Sequence, residues 1–154
     1  MSTHVRRPAA PPRGPDATSP PPQFEVVGSV PTPPVPDPSE TMTLLVTLPP
    51  GSTGTPPHRH TGPAFGFVIE GEMIVDLEGD PERVVRAGET FWEPGGDLIH
   101  YQHGNNLADA QTRFVVTMFA VPGRPMLVPV DAEEDVPQAG RPQVSRAAAR
   151  DAPL

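Results

Sequence analysis

The chain contains no cysteine among its 154 residues. This absence excludes disulfides, thiolate metal sites and cysteine nucleophiles, and it suits a reducing cytoplasm. No stretch approaches eighteen apolar residues, and the N-terminus lacks the apolar segment of a secretory signal, so we expect neither a membrane span nor an export signal. Basic residues are scattered and the formal net charge is −8, so nucleic acid is not an expected partner.

Proline and glycine are abundant instead, with 25 and 14 residues, and the prolines are uneven along the chain. Twelve prolines precede Ser39. We therefore predict a flexible, proline-rich arm over residues 1–38, in which residues 24–30 are a candidate short edge strand. One domain is predicted over residues 39–131 and a flexible tail over residues 132–154. A plain linker role for the arm is favoured over recognition of its prolines by a partner.

Strand-length apolar runs separated by glycine- and proline-rich turns fill the middle of the chain. The runs are TMTLLVTL, AFGFVIE, MIVDLE, RVVR, TFWEP, LIHYQH, TRFVVTMFAV and PMLVPV. No helical period appears among them. Seven or eight short strands of this kind predict an all-β sandwich or barrel.

Two histidines, His58 and His60, stand in the stretch PPHRHTGP, where a loop enters a strand. Residues i and i+2 of an extended chain project from the same face, so these two imidazoles can hold one metal ion. Imidazole suits iron, zinc, copper and nickel. An H-x-H pair alone is weak evidence for a metal site, so further evidence has to come from the surrounding residues.

The stretch GSTGTPPHRHTGPAFGFVIEG resembles the first motif of the cupin superfamily. That motif runs from a glycine through a spacer to H-x-H, then usually to a glutamate and a closing glycine. Here Gly51 or Gly54 is the opening glycine, His58 and His60 form the pair, and Gly71 closes the motif.

The stretch GETFWEPGGDLIH resembles the second cupin motif, with Gly88, Pro94, Gly96 and His100 in place and one extra residue before the histidine. The resemblance covers about residues 41–130, and the short distance between the motifs is that of small single-domain bacterial cupins. Two motifs in the right order make the resemblance specific for the fold.

The resemblance implies a jelly roll, also called a double-stranded β-helix barrel, with a divalent metal ion inside. His58, His60 and His100 match the three histidine ligands of the family. Fe(II) is the favoured ion, and zinc, nickel, manganese and copper are the alternatives.

Ala64 is the departure from the family pattern, because the usual glutamate lies seven residues before the closing Gly71. A methyl group cannot bind a metal. We therefore expect three neutral imidazoles on an ion that keeps its full charge, a site that favours a chelating anion. The resemblance then implies an Fe(II) dioxygenase acting on a small chelating oxyanion of the diketone, catechol or hydroxy acid type.

Three other functions stay open. The first is a redox-neutral, metal-assisted isomerase, lyase or cyclase. The second is a non-catalytic cupin that binds a small molecule, which the loss of the glutamate would favour. The third is a structural or interaction protein. Enzyme activity as such is therefore a hypothesis at this point.

Several other residues are candidates for the surroundings of the metal. Gly66 and Val68 share the face of Ala64 and are expected to leave space for substrate. Trp92 is interpreted as core or, alternatively, as a pocket wall. Glu93 is either a carboxylate that supports a metal ligand or an exposed residue.

The strand that carries His100 adds two more candidates. Gln102 is expected on the face of His100, where it would support a ligand or meet the substrate, with a surface role as the alternative. His103 is expected on the opposite face unless the strand bulges. On the outer face, Phe65, Phe67 and Ile69 predict a homodimer interface.

Overall fold

The computed structural model describes residues 20–31 and 33–131, and these residues form nine β-strands and no helix. The strands are β1 (Glu40–Leu48), β2 (His58–His60), β3 (Ala64–Glu70), β4 (Glu72–Leu77), β5 (Arg83–Arg86), β6 (Thr90–Glu93), β7 (His100–Asn105), β8 (Thr112–Ala120) and β9 (Leu127–Pro129). The described residues include no helix of the length and apolarity that a bilayer crossing needs.

The strands form two antiparallel sheets. Sheet A has the order β1-β8-β3-β6, and sheet B has the order β5-β4-β7-β2-β9. Neighbours in a sheet are rarely neighbours in the chain: β1 pairs along its whole length with β8, from Glu40 opposite Ala120 to Leu48 opposite Thr112. Connections therefore cross repeatedly from one sheet to the other, which is the jelly-roll arrangement. The predicted all-β jelly roll is confirmed.

The core lies between the inner faces of the two sheets. In β8 buried and half-buried residues alternate without interruption, as expected for a strand with one face on the core. The buried apolar cluster comprises Leu48, Ala64, Val68, Met73, Val75, Leu77, Val85, Phe91, Phe114, Val116 and Met118. It extends over both sheets and surrounds the polar residues described below.

Turn chemistry fixes the sharp corner at which the chain passes from β3 in sheet A to β4 in sheet B. Gly71 has φ of 82°, a left-handed conformation in which glycine carries no steric penalty. A Cβ atom at this position would also lie 2.4 Å from the Thr112 hydroxyl oxygen. The closing glycine of the first motif is therefore required both by backbone conformation and by close packing.

Residues 24–30, the candidate edge strand, form no strand in the structure. The backbone of Gly28 packs against Thr90 of β6. The prolines that follow lack the N–H groups a strand ladder needs, which disfavours regular pairing. The rest of the predicted arm lies largely outside the described residues, as does the predicted tail over residues 132–154.

Candidate metal centre

Strand β2 brings His58 and His60 into the barrel. It has only three residues and pairs with β9 on one side and with β7 on the other, where His58 lies directly opposite His100. All three imidazoles are buried, with 3%, 8% and 1% exposure. The i, i+2 spacing and one cross-strand pair thus place the three predicted ligands on the inner face of sheet B.

The three imidazoles point their nitrogens at a common centre. His60 Nε2 lies 3.2 Å from His58 Nε2 and 3.4 Å from His100 Nδ1. One ligand atom from each ring lies within 4.8 Å of the others. His58 Nδ1 is 2.7 Å from the Pro56 carbonyl oxygen. Donation of the Nδ1 proton to that carbonyl leaves the lone pair of Nε2 facing the centre, the orientation that a metal ligand needs.

Glu93 joins the histidines from the opposite sheet. Its side chain is 1% exposed, and its Oε2 lies 2.7 Å from His60 Nε2 and 2.9 Å from His100 Nδ1. Its Oε1 lies 3.0 Å from His103 Nε2. These distances are short enough for hydrogen bonds, yet neither carboxylate oxygen has a hydrogen-bond partner in acceptable geometry. The expected site of three imidazoles without a carboxylate is therefore corrected to one that also contains Glu93.

A strand bulge explains His103. β4 and β7 pair Asp76 with Gln102 and then Leu77 with His100, so Tyr101 is an extra residue in the ladder. The bulge shifts by one residue which side chains of β7 face the core. His103 therefore lies on the inner face, opposite the buried Val75. Gln102 shares the outward face of Asp76, opposite to the expected face of His100. His103 thus belongs to the cluster, and Gln102 lies away from it.

Burial and charge set the protonation states of the cluster. Burial lowers the pKa of His58 and of His100 from the ordinary histidine value. Burial alone would raise the pKa of Glu93, but the charge of His103 and the close imidazoles of His100, His103 and His60 hold it well below its usual value. Neutral imidazoles beside an ionised carboxylate are the forms that bind divalent metals.

The cluster fits a divalent cation. Four imidazoles and one carboxylate meet in the barrel, and two overlapping sets of three satisfy the spacing of metal ligands: His58, His60 and His100, and Glu93, His100 and His103. A buried carboxylate without hydrogen bonds is unfavourable unless a cation compensates its charge. The donor types, nitrogen and oxygen, suit iron, manganese, zinc, nickel or copper.

The wall beside the cluster is closed rather than open. Ala64 and Val68 are fully buried, and the ring of Phe91 fills the place where Gly66 would carry a side chain, 2.0 Å from an ideal Cβ. The space expected near the metal is thus occupied by Phe91. Trp92 faces outward, where its ring stacks on Phe65 with centroids 6.4 Å apart.

A cavity of about 780 Å³ lies on the other side of Phe91. Its walls include Gly66, Phe91 and Trp92, and its charged residues are Asp80 and Arg83. No residue of the histidine cluster lines it. Phe91 also contacts His103, with ring centroids 5.3 Å apart, so this ring lies between the cavity and one histidine of the cluster.

Sequence reasoning undervalued Glu93, although a signal was present. Phe91 and Glu93 share one face of β6, and Trp92 has the other. Placing the apolar Phe91 in the core would have placed Glu93 inside as well. Interpreting Trp92 as a core residue instead left Glu93 with two open roles, a supporting carboxylate or an exposed residue.

Comparison with known proteins supports the resemblance. Residues 44–118 match the family model described as Cupin domain, whereas no curated protein matches the chain. Among solved structures, an oxalate oxidase in complex with the substrate analogue glycolate is 35% identical over 58% of this chain and 46% of that chain, with a TM-score of 0.49. A cupin-like protein from Thermotoga maritima is 24% identical over 61% of this chain and 69% of that one, with a TM-score of 0.48.

A DMSP lyase from Ruegeria pomeroyi is 20% identical over 62% of this chain and 45% of that chain, with a TM-score of 0.47. This chain thus spans less than half the length of the oxalate oxidase and of the lyase. Because every one of these TM-scores is below 0.5, the likenesses assign no reaction to this chain.

Proposed function

Because this chain contains a cupin domain with a buried cluster of histidines and one glutamate, we propose that it is a metal-dependent enzyme. The finer proposal is an Fe(II) dioxygenase that acts on a small chelating oxyanion such as a diketone, a catechol or a hydroxy acid. The observation that carries it is the convergence of buried imidazoles on the buried Glu93 carboxylate, whose oxygens lack hydrogen bonds in acceptable geometry. Mixed imidazole and carboxylate donors with open positions are typical of non-haem Fe(II) oxygenases.

The residues of the site have separable tasks. His58, His60 and His100 would hold the ion, and Glu93 would neutralise part of its charge. A divalent ion with one carboxylate keeps a single net positive charge, which favours an anionic substrate with two oxygen donors. Bound iron would supply Lewis acidity and the redox chemistry of oxygen. Apolar walls such as Phe91 exclude water and so strengthen electrostatic interactions in the site.

The cavity beyond Phe91 supports a small anionic substrate. Its volume of about 780 Å³ lies in the range of small-molecule pockets. Arg83 on its wall provides a positive charge for an oxyanion, and Asp80 limits the total charge. We propose that substrate approaches from this cavity and that displacement of the Phe91 ring joins the two spaces.

Two alternatives share the same cluster. A redox-neutral isomerase, lyase or cyclase would use the ion as a Lewis acid alone, and a non-catalytic cupin would bind the small molecule without turning it over.

Oxygen consumption tests the proposed activity. The full chain is loaded anaerobically with Fe(II) and mixed with a diketone, a catechol or a 2-hydroxy acid before oxygen is admitted. We expect substrate-dependent oxygen uptake with one of the three classes, absent from the metal-free protein. Product formation without oxygen uptake would replace the dioxygenase by a redox-neutral enzyme. Binding of all three classes without any product would favour the binding protein.

We also propose a homodimer formed through the outer face of sheet A. Leu45, Val115 and Phe67 form one row across β1, β8 and β3, and Leu45 is 58% exposed. Nearby, Ile69 is 45% exposed. An apolar row of this kind on a sheet face is typical of an interaction surface.

Light scattering after gel filtration tests the dimer. We expect twice the chain mass for the wild type and the chain mass for Leu45→Glu, because a carboxylate in an apolar interface is strongly unfavourable. Leu44→Glu, on the other face of the same strand, is the matched control and is expected to stay dimeric. A wild-type protein with the mass of one chain would contradict the proposal.

A reducing compartment is part of the same proposal, because ferrous iron persists where the surroundings are reducing. We therefore propose that the protein works in the cytoplasm.

A further inference from the structure

We infer that Glu93 supplies the carboxylate ligand that position 64 lacks, so that the ligand has moved from β3 to the neighbouring strand. Ala64 and Glu93 are direct partners in the β3–β6 ladder. Side chains at directly opposite positions lie on one face of a sheet, with Cβ atoms about 4.5–5.5 Å apart. A carboxylate from either position therefore reaches the same part of the barrel. This inference rests on the metal site of the proposed function.

The distances around Glu93 support direct ligation. Glu93 Oε2, His60 Nε2 and His100 Nδ1 are separated from one another by 2.7, 2.9 and 3.4 Å. Ligand atoms about 2.0–2.2 Å from one ion lie roughly 3 Å apart when adjacent. The three atoms thus have the mutual spacing of ligands on a single ion, and the carboxylate oxygens have no competing hydrogen bonds.

The residue at position 64 is part of the same exchange. Ala64 is fully buried beside the cluster, and a larger side chain there would compete with Glu93 for the same volume. An alanine on β3 and a glutamate on β6 therefore form a complementary pair. The first motif itself lacks a carboxylate at position 64. The carboxylate is instead supplied by Glu93, the residue paired with Ala64 on the neighbouring strand.

His103 lies against the second oxygen of the carboxylate. Its Nε2 lies 3.0 Å from Oε1 of Glu93, which leaves Oε2 directed at His60 and His100. The bulge at Tyr101 is what turns His103 inward. The second oxygen of Glu93 thus has a close imidazole neighbour, which the bulge in β7 brings into the barrel.

Cobalt(II) binding to the full chain tests this inference. Titration calorimetry gives the affinity, and the visible absorption of bound Co(II) reports the number and type of its ligands. We expect Glu93→Gln to weaken Co(II) binding by more than about 100-fold, beyond the 10–100-fold typical of residues that only support a ligand. The exchange variant Ala64→Glu/Glu93→Ala is expected to recover affinity to within about 10-fold of wild type.

The matched control is Glu70→Gln, which removes a carboxylate from an exposed position of β3 next to Arg113. It is expected to bind Co(II) as the wild type does. Thermal melting of each variant with a chelator present shows whether the fold is retained. If the exchange variant does not fold, the absorption spectrum of Glu93→Gln decides, because replacing a carboxylate oxygen by a neutral amide oxygen or by solvent changes the ligand field of bound Co(II).

Wild-type affinity and an unchanged Co(II) spectrum in Glu93→Gln would overturn the inference, as would an exchange variant that folds but binds no better than Glu93→Gln. None of these measurements needs turnover. Absence of oxygen uptake by a protein that binds metal through Glu93 would overturn the proposed dioxygenase and leave the ligand assignment intact.

Discussion

Replacing His60 by alanine is expected to abolish metal-dependent activity and to weaken metal binding by more than about 100-fold. His60 Nε2 is the central atom of the cluster, within 3.4 Å of His58, His100 and Glu93 donor atoms. The alanine variant lacks one metal ligand and also the ring that contacts His58, His100 and Glu93. Calorimetric titration with Fe(II) under anaerobic conditions, followed by oxygen uptake, measures both effects.

Gln102→Ala is the matched control for that variant. Gln102 lies on β7 close to the cluster in sequence, but it shares the outward face of Asp76. We expect its metal affinity and oxygen uptake to equal those of the wild type. Loss of metal binding in the control, or full retention of activity in His60→Ala, would contradict the placement of the site.

Asn105→Ala is expected to have the largest effect on stability, a loss of about 3 kcal/mol in the free energy of unfolding. The Asn105 side chain is fully buried. Its Nδ2 donates to the carbonyls of Pro49 and Ala110 at 2.9 and 2.8 Å, and its Oδ1 accepts from the Thr112 hydroxyl at 2.7 Å and from the backbone N–H of Leu107 at 3.0 Å. Alanine would remove all four hydrogen bonds, and only the Thr112 hydroxyl and the Pro49 carbonyl have other contacts among the described residues, with Glu72 and Ser52, that offset part of the loss.

Chemical denaturation of the metal-free protein measures this loss, and Asn106→Ala provides the comparison. Asn106 is the adjacent residue, half-buried, and its side chain donates to the Glu72 carboxylate at 2.6 Å. Removal of this contact is expected to cost less than about 1.5 kcal/mol. Equal losses for the two variants would contradict a special structural role for Asn105.

The strands of the barrel were largely predictable, because period-two patterns and turn residues are local features. β3 and β5 have the bounds that the sequence predicts, and β8 ends one residue earlier than expected. β2 was not predicted as a strand of its own. Its three residues are flanked by proline and glycine, and its pairing with β7 and β9 is settled by residues more than forty positions away.

The candidate site was predictable in part, for similar reasons. His58, His60 and His100 stand in two motifs, so their residue types and spacing point to a metal without any knowledge of pairing. The inward positions of Glu93 and His103 depend on how their strands pair with neighbouring strands, which the local sequence does not show. The first requires the β3–β6 register, and the second requires the bulge at Tyr101.

The significance of Ala64 changes accordingly. Viewed along the chain, alanine at this position removes a ligand and indicates an ion with its full charge. In the structure, Glu93 lies directly opposite Ala64 in the β3–β6 pairing, and its carboxylate adds one negative charge to the cluster. The site therefore combines nitrogen and oxygen donors, a set that suits iron, manganese, zinc, nickel or copper.

Metal content measured by inductively coupled plasma mass spectrometry tests the central claim most directly. The protein would be purified without an affinity tag or chelator, beside the His58→Ala/His100→Ala double variant. We predict nearly one iron per chain in the wild type and almost none in the variant. A wild-type protein without bound metal, whose affinity for added Fe(II) is unchanged in the double variant, would show that the histidines in the barrel are not a metal site.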